Sequence, residues 1–118
     1  MNNPVMRWQL ISMNPEASEK FYTQLFNWTV NADNPLGYRE ISTGSDEGIH
    51  GGIWPSPPEG ASFVQLFVRV ENVDDTLKTA QELGAKIIIP AQTLPDGETM
   101  AVIHDNEGVP VAIYSEKK

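Results

Sequence analysis

The chain has 118 residues, and its eight lysines and arginines against sixteen aspartates and glutamates give a formal net charge of −8 at pH 7. A chain of this length can bury most of its apolar surface around one core, so we expect a single domain over residues 1–118. The negative charge repels phosphate backbones and anionic headgroups, which argues against nucleic acid or a membrane surface as a partner.

The composition excludes several kinds of chemistry. The chain contains no cysteine, so a disulfide framework, a thiolate nucleophile and a cysteine-bound zinc are all ruled out. No stretch approaches the roughly 20 apolar residues of a membrane-spanning helix, and the start of the chain lacks the features of a signal peptide. We therefore predict a cytoplasmic protein.

The first half of the chain, about residues 5–54, predicts the element order β-α-β-β-β. Strand formers at 6–12 stop at Asn14, a typical helix cap, and the helix should end near Asn27. Helical spacing predicts the apolar side chains that pack on the sheet, namely Ala17, Phe21, Tyr22 and Leu25. Three short strands are then predicted within residues 28–32, 38–43 and 48–54.

A second half, about residues 61–115, follows a proline-rich linker at 55–60 and repeats the same order. Asn72 is placed to cap its helix, Leu83 to complete the apolar face, and Gly84 to end it. The predicted strands of this half are 62–70, 86–89, 98–104 and 109–114.

The two halves also agree residue by residue, which indicates an internal duplication. Asn14 and Asn72, the two helix caps, lie 58 positions apart. At an offset of 60, turn glycines and strand residues coincide: Gly37 with Gly97, Gly48 with Gly108, Ile53 with Ile113 and Trp54 with Tyr114. Neither half could bury its sheet alone, so the predicted fold class is α+β, with two tandem β-α-β-β-β repeats.

Two stretches resemble a known family. Residues 14–28, which read Asn-Pro-Glu-Ala-Ser-Glu-Lys-Phe-Tyr-Thr-Gln-Leu-Phe-Asn-Trp, are similar to the opening of glyoxalase-like domains, and residues 104–108 are similar to their last turn. The chain thus resembles the glyoxalase, bleomycin-resistance and dioxygenase group, the vicinal oxygen chelate superfamily. The resemblance implies a curved mixed sheet that forms a cup for a small ligand, with helices on the outer face. It also implies a homodimer, with cups completed within or between subunits.

In catalytic members of this family, the resemblance implies a divalent metal ion held by the first and last strand of each repeat. The four positions fall on Arg7, Gly52, Gln65 and Ala112. Only Gln65 could coordinate a metal, because Gly52 and Ala112 lack a donor and a guanidinium has no lone pair to offer. We therefore predict no metal at this place and no cofactor, unless a divalent ion is held at a relocated site.

If Arg7 and Gln65 point into the cup, strand alternation places other side chains beside them. Arginine could bind a carboxylate or phosphate, the glutamines could bind neutral polar groups, and aromatic rings could hold a planar or apolar body. The aromatic residues could equally fill the interior, with Arg7 paired to Glu40. The candidate ligand-binding residues are Arg7, Gln9, His50, Trp54, Gln65, Phe67 and Tyr114.

The sequence does not identify a catalytic residue, and it offers one candidate. His50 is the candidate general base, although a hydrogen-bonded histidine at a strand end explains it as well, and His104 could simply support the turn beside it. The pair Gly51-Gly52 lacks the lysine and spacing of a phosphate-binding loop and more simply permits a close approach.

Two functions are consistent with these observations. The first is a small-molecule binding protein without the usual metal ligands, similar to the bleomycin-resistance branch. The second is a metal-dependent lyase, isomerase or dioxygenase, with its metal relocated to His50, His104 or acidic residues such as Glu40 and Glu107. The sequence leaves open whether the protein is an enzyme.

Overall fold

The computed structural model describes residues 2–58 and 60–116. The predicted elements occur in the predicted order, which confirms the α+β class and the two β-α-β-β-β repeats. The elements are β1 Val5–Ser12, α1 Pro15–Phe26, β2 Thr29–Asn31, β3 Arg39–Ser42, β4 Gly51–Pro55, β5 Phe63–Arg69, α2 Val73–Glu82, β6 Lys86–Thr93, β7 Thr99–His104 and β8 Pro110–Ser115. Neither described helix has the length and apolar character needed to cross a bilayer.

The chain forms two compact units, Arg7–Gln65 and the rest of the described residues. In the first unit, β1 runs parallel to β4, while β4 pairs with β3 and β3 with β2 in antiparallel fashion. In the second unit, β5 runs parallel to β8, while β8 pairs with β7 and β7 with β6 in antiparallel fashion. Each unit therefore has the same mixed strand order, as an internal duplication requires.

Residues that coincide between the repeats share a local conformation. The Oδ1 atoms of Asn14 and Asn72 accept hydrogen bonds from the backbone N–H groups of Ala17, at 3.2 Å, and Asp75, at 2.9 Å. The paired turn glycines all have positive φ, a region in which any side chain is strained. These angles are 64° at Gly37, 91° at Gly97, 74° at Gly48 and 88° at Gly108.

The prediction for the packing face of α1 is partly correct, since Tyr22 is half-buried but the other three side chains named for this face are exposed. Phe21 is 57% exposed. The half-buried stripe instead carries polar contacts, since Ser18 Oγ lies 2.6 Å from Ser12 Oγ and the Glu19 carboxylate accepts a hydrogen bond from Arg39 Nε at 2.9 Å. These polar pairs, which a hydrophobic pattern does not predict, hold the helix together with the aromatic contact of Tyr22.

The prediction for α2 is correct except at its end. Val73 and Leu77 are buried in the core of the second unit. Leu83, which was expected to complete the apolar face, is 74% exposed because it lies beyond the last helical residue as the C-cap. Strand β6 also runs past Pro90 to Thr93, beyond the predicted end, and its pairing with β7 shifts register there.

Candidate functional site

Two adjacent glycines at the start of β4 allow aromatic rings to approach the sheet. Successive residues of a strand face opposite sides, and Gly51 and Gly52 are both buried. A Cβ atom at Gly51 would collide with the indole of Trp8, and a Cβ atom at Gly52 would collide with the phenol of Tyr38. Both glycines therefore permit a close approach, as the sequence indicates.

The ring on the Gly51 side belongs to a layer that packs α1 onto the sheet. Trp8 lies 5.3 Å from Trp28 between ring centres, and Trp28 stacks on Tyr22 at 5.7 Å. The indole nitrogen of Trp8 donates a hydrogen bond to the carbonyl oxygen of Ile49 at 3.0 Å. This side of the sheet serves packing, and the indole N–H of Trp8 is satisfied within the unit.

The ring on the Gly52 side belongs to a polar cluster. The Tyr38 hydroxyl donates a hydrogen bond to Gln9 Oε1 at 2.9 Å. The guanidinium carbon of Arg7 lies 5.5 Å from the centre of the Tyr38 ring, and the Trp54 ring lies 5.8 Å away at a tilt of 36°. We call Arg7, Gln9, Tyr38 and Trp54 the Tyr38 cluster.

Backbone constraints place Tyr38 at this position. The Asn34 side chain accepts a hydrogen bond from the Tyr38 backbone N–H at 2.9 Å and donates one to the Tyr38 carbonyl oxygen at 2.7 Å. Gly37, directly before it, takes a left-handed φ of 64°. On the neighbouring strands, Gly52 is the register partner of Gln9. The turn before β3 and the register of β4 therefore bring the phenol onto Gln9.

Burial governs the electrostatics of the cluster. Tyr38 and Gln9 are 7% and 5% exposed. Burial raises the pKa of the Tyr38 hydroxyl to about 12, even though the charge of Arg7 and its hydrogen bond to the phenol act in the opposite direction, and Glu40 adds a smaller increase. The phenol therefore keeps its proton at neutral pH and acts as a hydrogen-bond donor, not as a base.

The structure brings together three of the predicted ligand-binding residues, Arg7, Gln9 and Trp54. It also adds Tyr38, which the sequence analysis missed. Two features of the sequence point to this residue. Tyr38 begins a predicted strand, and a glycine within the predicted strand at 48–54 leaves space for a bulky neighbour.

His50 lies apart from the Tyr38 cluster. It is exposed and precedes β4, which begins at Gly51. Its Nδ1 atom accepts a hydrogen bond from the backbone N–H of Thr43 at 3.0 Å, so the imidazole closes the loop between β3 and β4. A catalytic or ligand-binding role for His50 stays a prediction.

The other three candidates are buried. Gln65 is 4% exposed, and its Oε1 atom has no hydrogen-bond partner among the described residues. In the second unit, the rings of Phe67 and Tyr114 lie 4.6 Å apart within a buried cluster with Val102 and Ala112. Their part in ligand binding stays a prediction, and their packing is that of core residues.

The positions implied for the family's metal do not supply a ligand set. Tyr38 fills the space beside Gly52, and Arg7 lies over the same ring. Ala112 is fully buried in its cluster and has no donor. The unpaired oxygen of Gln65 is the one suitable atom at these four positions. Within residues 2–58 and 60–116, no group of three histidines or acidic residues is arranged to hold a metal.

Comparisons with known proteins place the chain among relatives. Residues 5–113 match the family model "Glyoxalase/Bleomycin resistance protein/Dioxygenase superfamily". "Putative glyoxylase CFP32" of Mycobacterium tuberculosis is 29% identical over 110 residues, which cover 86% of this chain and 41% of that protein. The chain therefore spans less than half the length of this relative.

Solved structures share the fold. A structure described as NAD-dependent benzaldehyde dehydrogenase from Legionella pneumophila has a TM-score of 0.67 at 21% identity, covering 98% of this chain and 99% of its own. Methylmalonyl-CoA epimerase from Mycobacterium tuberculosis has a TM-score of 0.61 at 12% identity, covering 95% and 87% respectively. At these identities, the likeness concerns the fold alone.

The contact between Gly52 and Tyr38 can be tested by substitution. Gly52→Ala should lower the free energy of unfolding by about 1–3 kcal/mol, because the added methyl group meets the phenol ring. In a Tyr38→Ala background the same change should cost much less, and a double-mutant cycle of urea unfolding measures the difference. Equal costs in both backgrounds would contradict the contact.

The protonated phenol predicts a pH dependence of stability. Because the pKa of Tyr38 is raised from 10.0 to about 12 in the folded protein, its contribution is complete below pH 10 and is lost as the pH rises towards 12. Relative to Tyr38→Phe, the wild-type protein should lose up to roughly 1.4 kcal/mol of stability per pH unit in this window. Urea unfolding of both proteins checks this, and a constant difference would disprove it.

Proposed function

The chain belongs to the glyoxalase, bleomycin-resistance and dioxygenase superfamily, and we propose that it is a metal-independent member that binds a small molecule at the Tyr38 cluster. One observation carries the proposal. The phenol of Tyr38, with the Arg7 guanidinium over its ring, fills the space beside Gly52, from which a side-chain metal ligand would have to project. The Arg7 guanidinium and the Tyr38 phenol thus stand where a metal site would need electron-pair donors.

The cluster offers a ligand two kinds of contact. The Trp54 ring is 39% exposed and inclined to Tyr38, so it presents an aromatic surface for a planar or apolar body. Beside it, Arg7 and Gln9 provide polar groups on a rigid strand. A few fixed polar groups next to an apolar wall are typical of small-molecule sites.

The alternative, an enzyme with a relocated metal, has less support. The Nδ1 atom of His50 already accepts a backbone hydrogen bond. His104 adjoins a turn in which the Asp105 carboxylate accepts hydrogen bonds from the backbone N–H groups of Glu107 and Val109, at 2.8 and 2.9 Å. These hydrogen bonds lower the pKa of Asp105, and they explain the position of its carboxylate in the turn without a metal.

The assembly and location of the protein belong to the same proposal. A homodimer rests on the family resemblance alone. A cytoplasmic location, with no nucleic-acid or membrane partner, rests on the sequence and its net charge of −8.

Metal independence is tested with purified protein treated with a chelator. Fragments that combine an aromatic ring with a polar group should bind the chelator-treated protein as tightly as they bind the untreated protein. Manganese, nickel and zinc salts should leave the melting temperature unchanged, because a specific site would stabilise the folded state. Stoichiometric metal in elemental analysis, or fragment binding that requires an added ion, would overturn the proposal.

Arg7→Ala tests the role of the cluster. Loss of charge-assisted hydrogen bonds should weaken the binding of an aromatic carboxylate by about 1.5–3 kcal/mol, measured by isothermal titration calorimetry. Arg39→Ala is the matched control, since it removes the same charge from the Arg39–Glu19 ion pair outside the cluster. Equal affinity of the two variants would rule out the assigned role of Arg7.

A further inference from the structure

We infer that the Tyr38 cluster selects ligands with a carboxylate at the polar end of a flat apolar body, because a directional chain of hydrogen bonds leaves Arg7 and Gln9 only donors to offer. This inference rests on the proposed function and adds the chemical class of the ligand. Its basis is the geometry of Arg7, Tyr38 and Gln9.

The chain starts at Arg7. A guanidinium has five N–H donors and no acceptor. The side-chain hydrogen bond between Arg7 and Tyr38 is therefore donated by Arg7 and accepted by the phenolic oxygen. This fixes the direction of the first bond.

The second bond follows from the first. The phenol has a single proton, and its oxygen lies 2.9 Å from Gln9 Oε1. A carboxamide oxygen can only accept, so the Tyr38 proton points to Gln9. Burial keeps that proton in place at neutral pH.

The third step is the orientation of the Gln9 amide. Its oxygen is engaged by Tyr38, and this is the one hydrogen bond of the Gln9 side chain within the described part of the chain. The Nε2 group carries two N–H donors and no acceptor. Flipping the amide would place these donors against the phenolic proton, so Tyr38 locks the polarity of Gln9.

The charges around the cluster disfavour a dianion relative to a monoanion. A carboxylate carries one negative charge, whereas a phosphate monoester carries nearly two at pH 7. Glu40 stands opposite Gly52 in the register of β3 and β4, and its charge acts on Tyr38. A dianion would be repelled by this carboxylate more strongly than a monoanion.

The net charge of the chain and the donors of the cluster favour different ligands. A charge of −8 would favour cationic ligands at long range. Exposed charges are screened over about 10 Å at ordinary salt concentrations, whereas the donors of Arg7 and Gln9 act at contact. An ammonium group has no acceptor for these donors, so a cationic ligand gains no hydrogen bond from Arg7 or Gln9.

Three probes with one apolar body test the selectivity directly: 2-naphthoate, 2-naphthamide and 2-naphthylmethylamine, with 2-naphthyl phosphate as a dianionic fourth. Titration followed by nuclear magnetic resonance of the Trp54 indole and the Gln9 side-chain amide measures affinity and position. The affinity for the carboxylate should be higher than that for the amide and the amine by a factor of about ten or more. It should also exceed the affinity for the phosphate.

Two variants separate polarity from packing. Gln9→Glu keeps an oxygen for the Tyr38 hydroxyl but replaces the two N–H donors with an acceptor, so it should lower carboxylate affinity about tenfold or more and raise amine affinity. Tyr38→Phe keeps the ring and frees the amide to rotate, so it should reduce the preference for carboxylate over amine.

The outcomes distinguish the inference from the proposed function. Amine binding at Trp54 as tight as carboxylate binding would overturn the selectivity and leave a metal-independent binding protein. An unchanged preference in Gln9→Glu would likewise overturn it. Failure of all four probes to bind at millimolar concentration would overturn both proposals.

Discussion

The contact of the Tyr38 ring with the bare backbone of Gly52 is the constraint on which the site depends. Because Gly52 has no Cβ, the phenol of Tyr38 reaches across β4 to Gln9 of β1 and forms a 2.9 Å hydrogen bond. The ring also provides the surface over which Arg7 lies. One missing side chain thus allows a buried aromatic residue to contact the two polar side chains of β1, and it does so where relatives of this fold are expected to bind a metal.

Most of the fold could be predicted from the sequence because its determinants are local. Asn14 and Asn72 act as helix caps through their own side chains, and Gly37 and Gly97 meet a backbone requirement that few other residues can satisfy. Such residues act within a few positions of their own place in the chain. Their recurrence at a fixed offset then indicates the duplication.

The packing of the elements was less predictable because it depends on contacts between distant residues. Besides the ring of Tyr22, the face of α1 is set by two polar contacts that a hydrophobic pattern does not encode, Ser18 with Ser12 and Glu19 with Arg39. The site follows the same rule. Strand alternation places Arg7 and Gln9 on one face, but the approach of Tyr38 arises from the turn at Asn34 and the register of β4.

The pair of glycines at the start of β4 restricts how this chain can evolve. Trp8 occupies one face at Gly51 and Tyr38 the other at Gly52, so a metal-binding side chain at Gly52 would first require loss of the tyrosine. That loss alone would leave a cavity and an unpaired Gln9 oxygen, each costly in a buried position. Either substitution made alone should therefore lower the stability of the folded protein. Gly52 and Tyr38 are therefore coupled, and a side chain at position 52 fits only if Tyr38 is replaced at the same time.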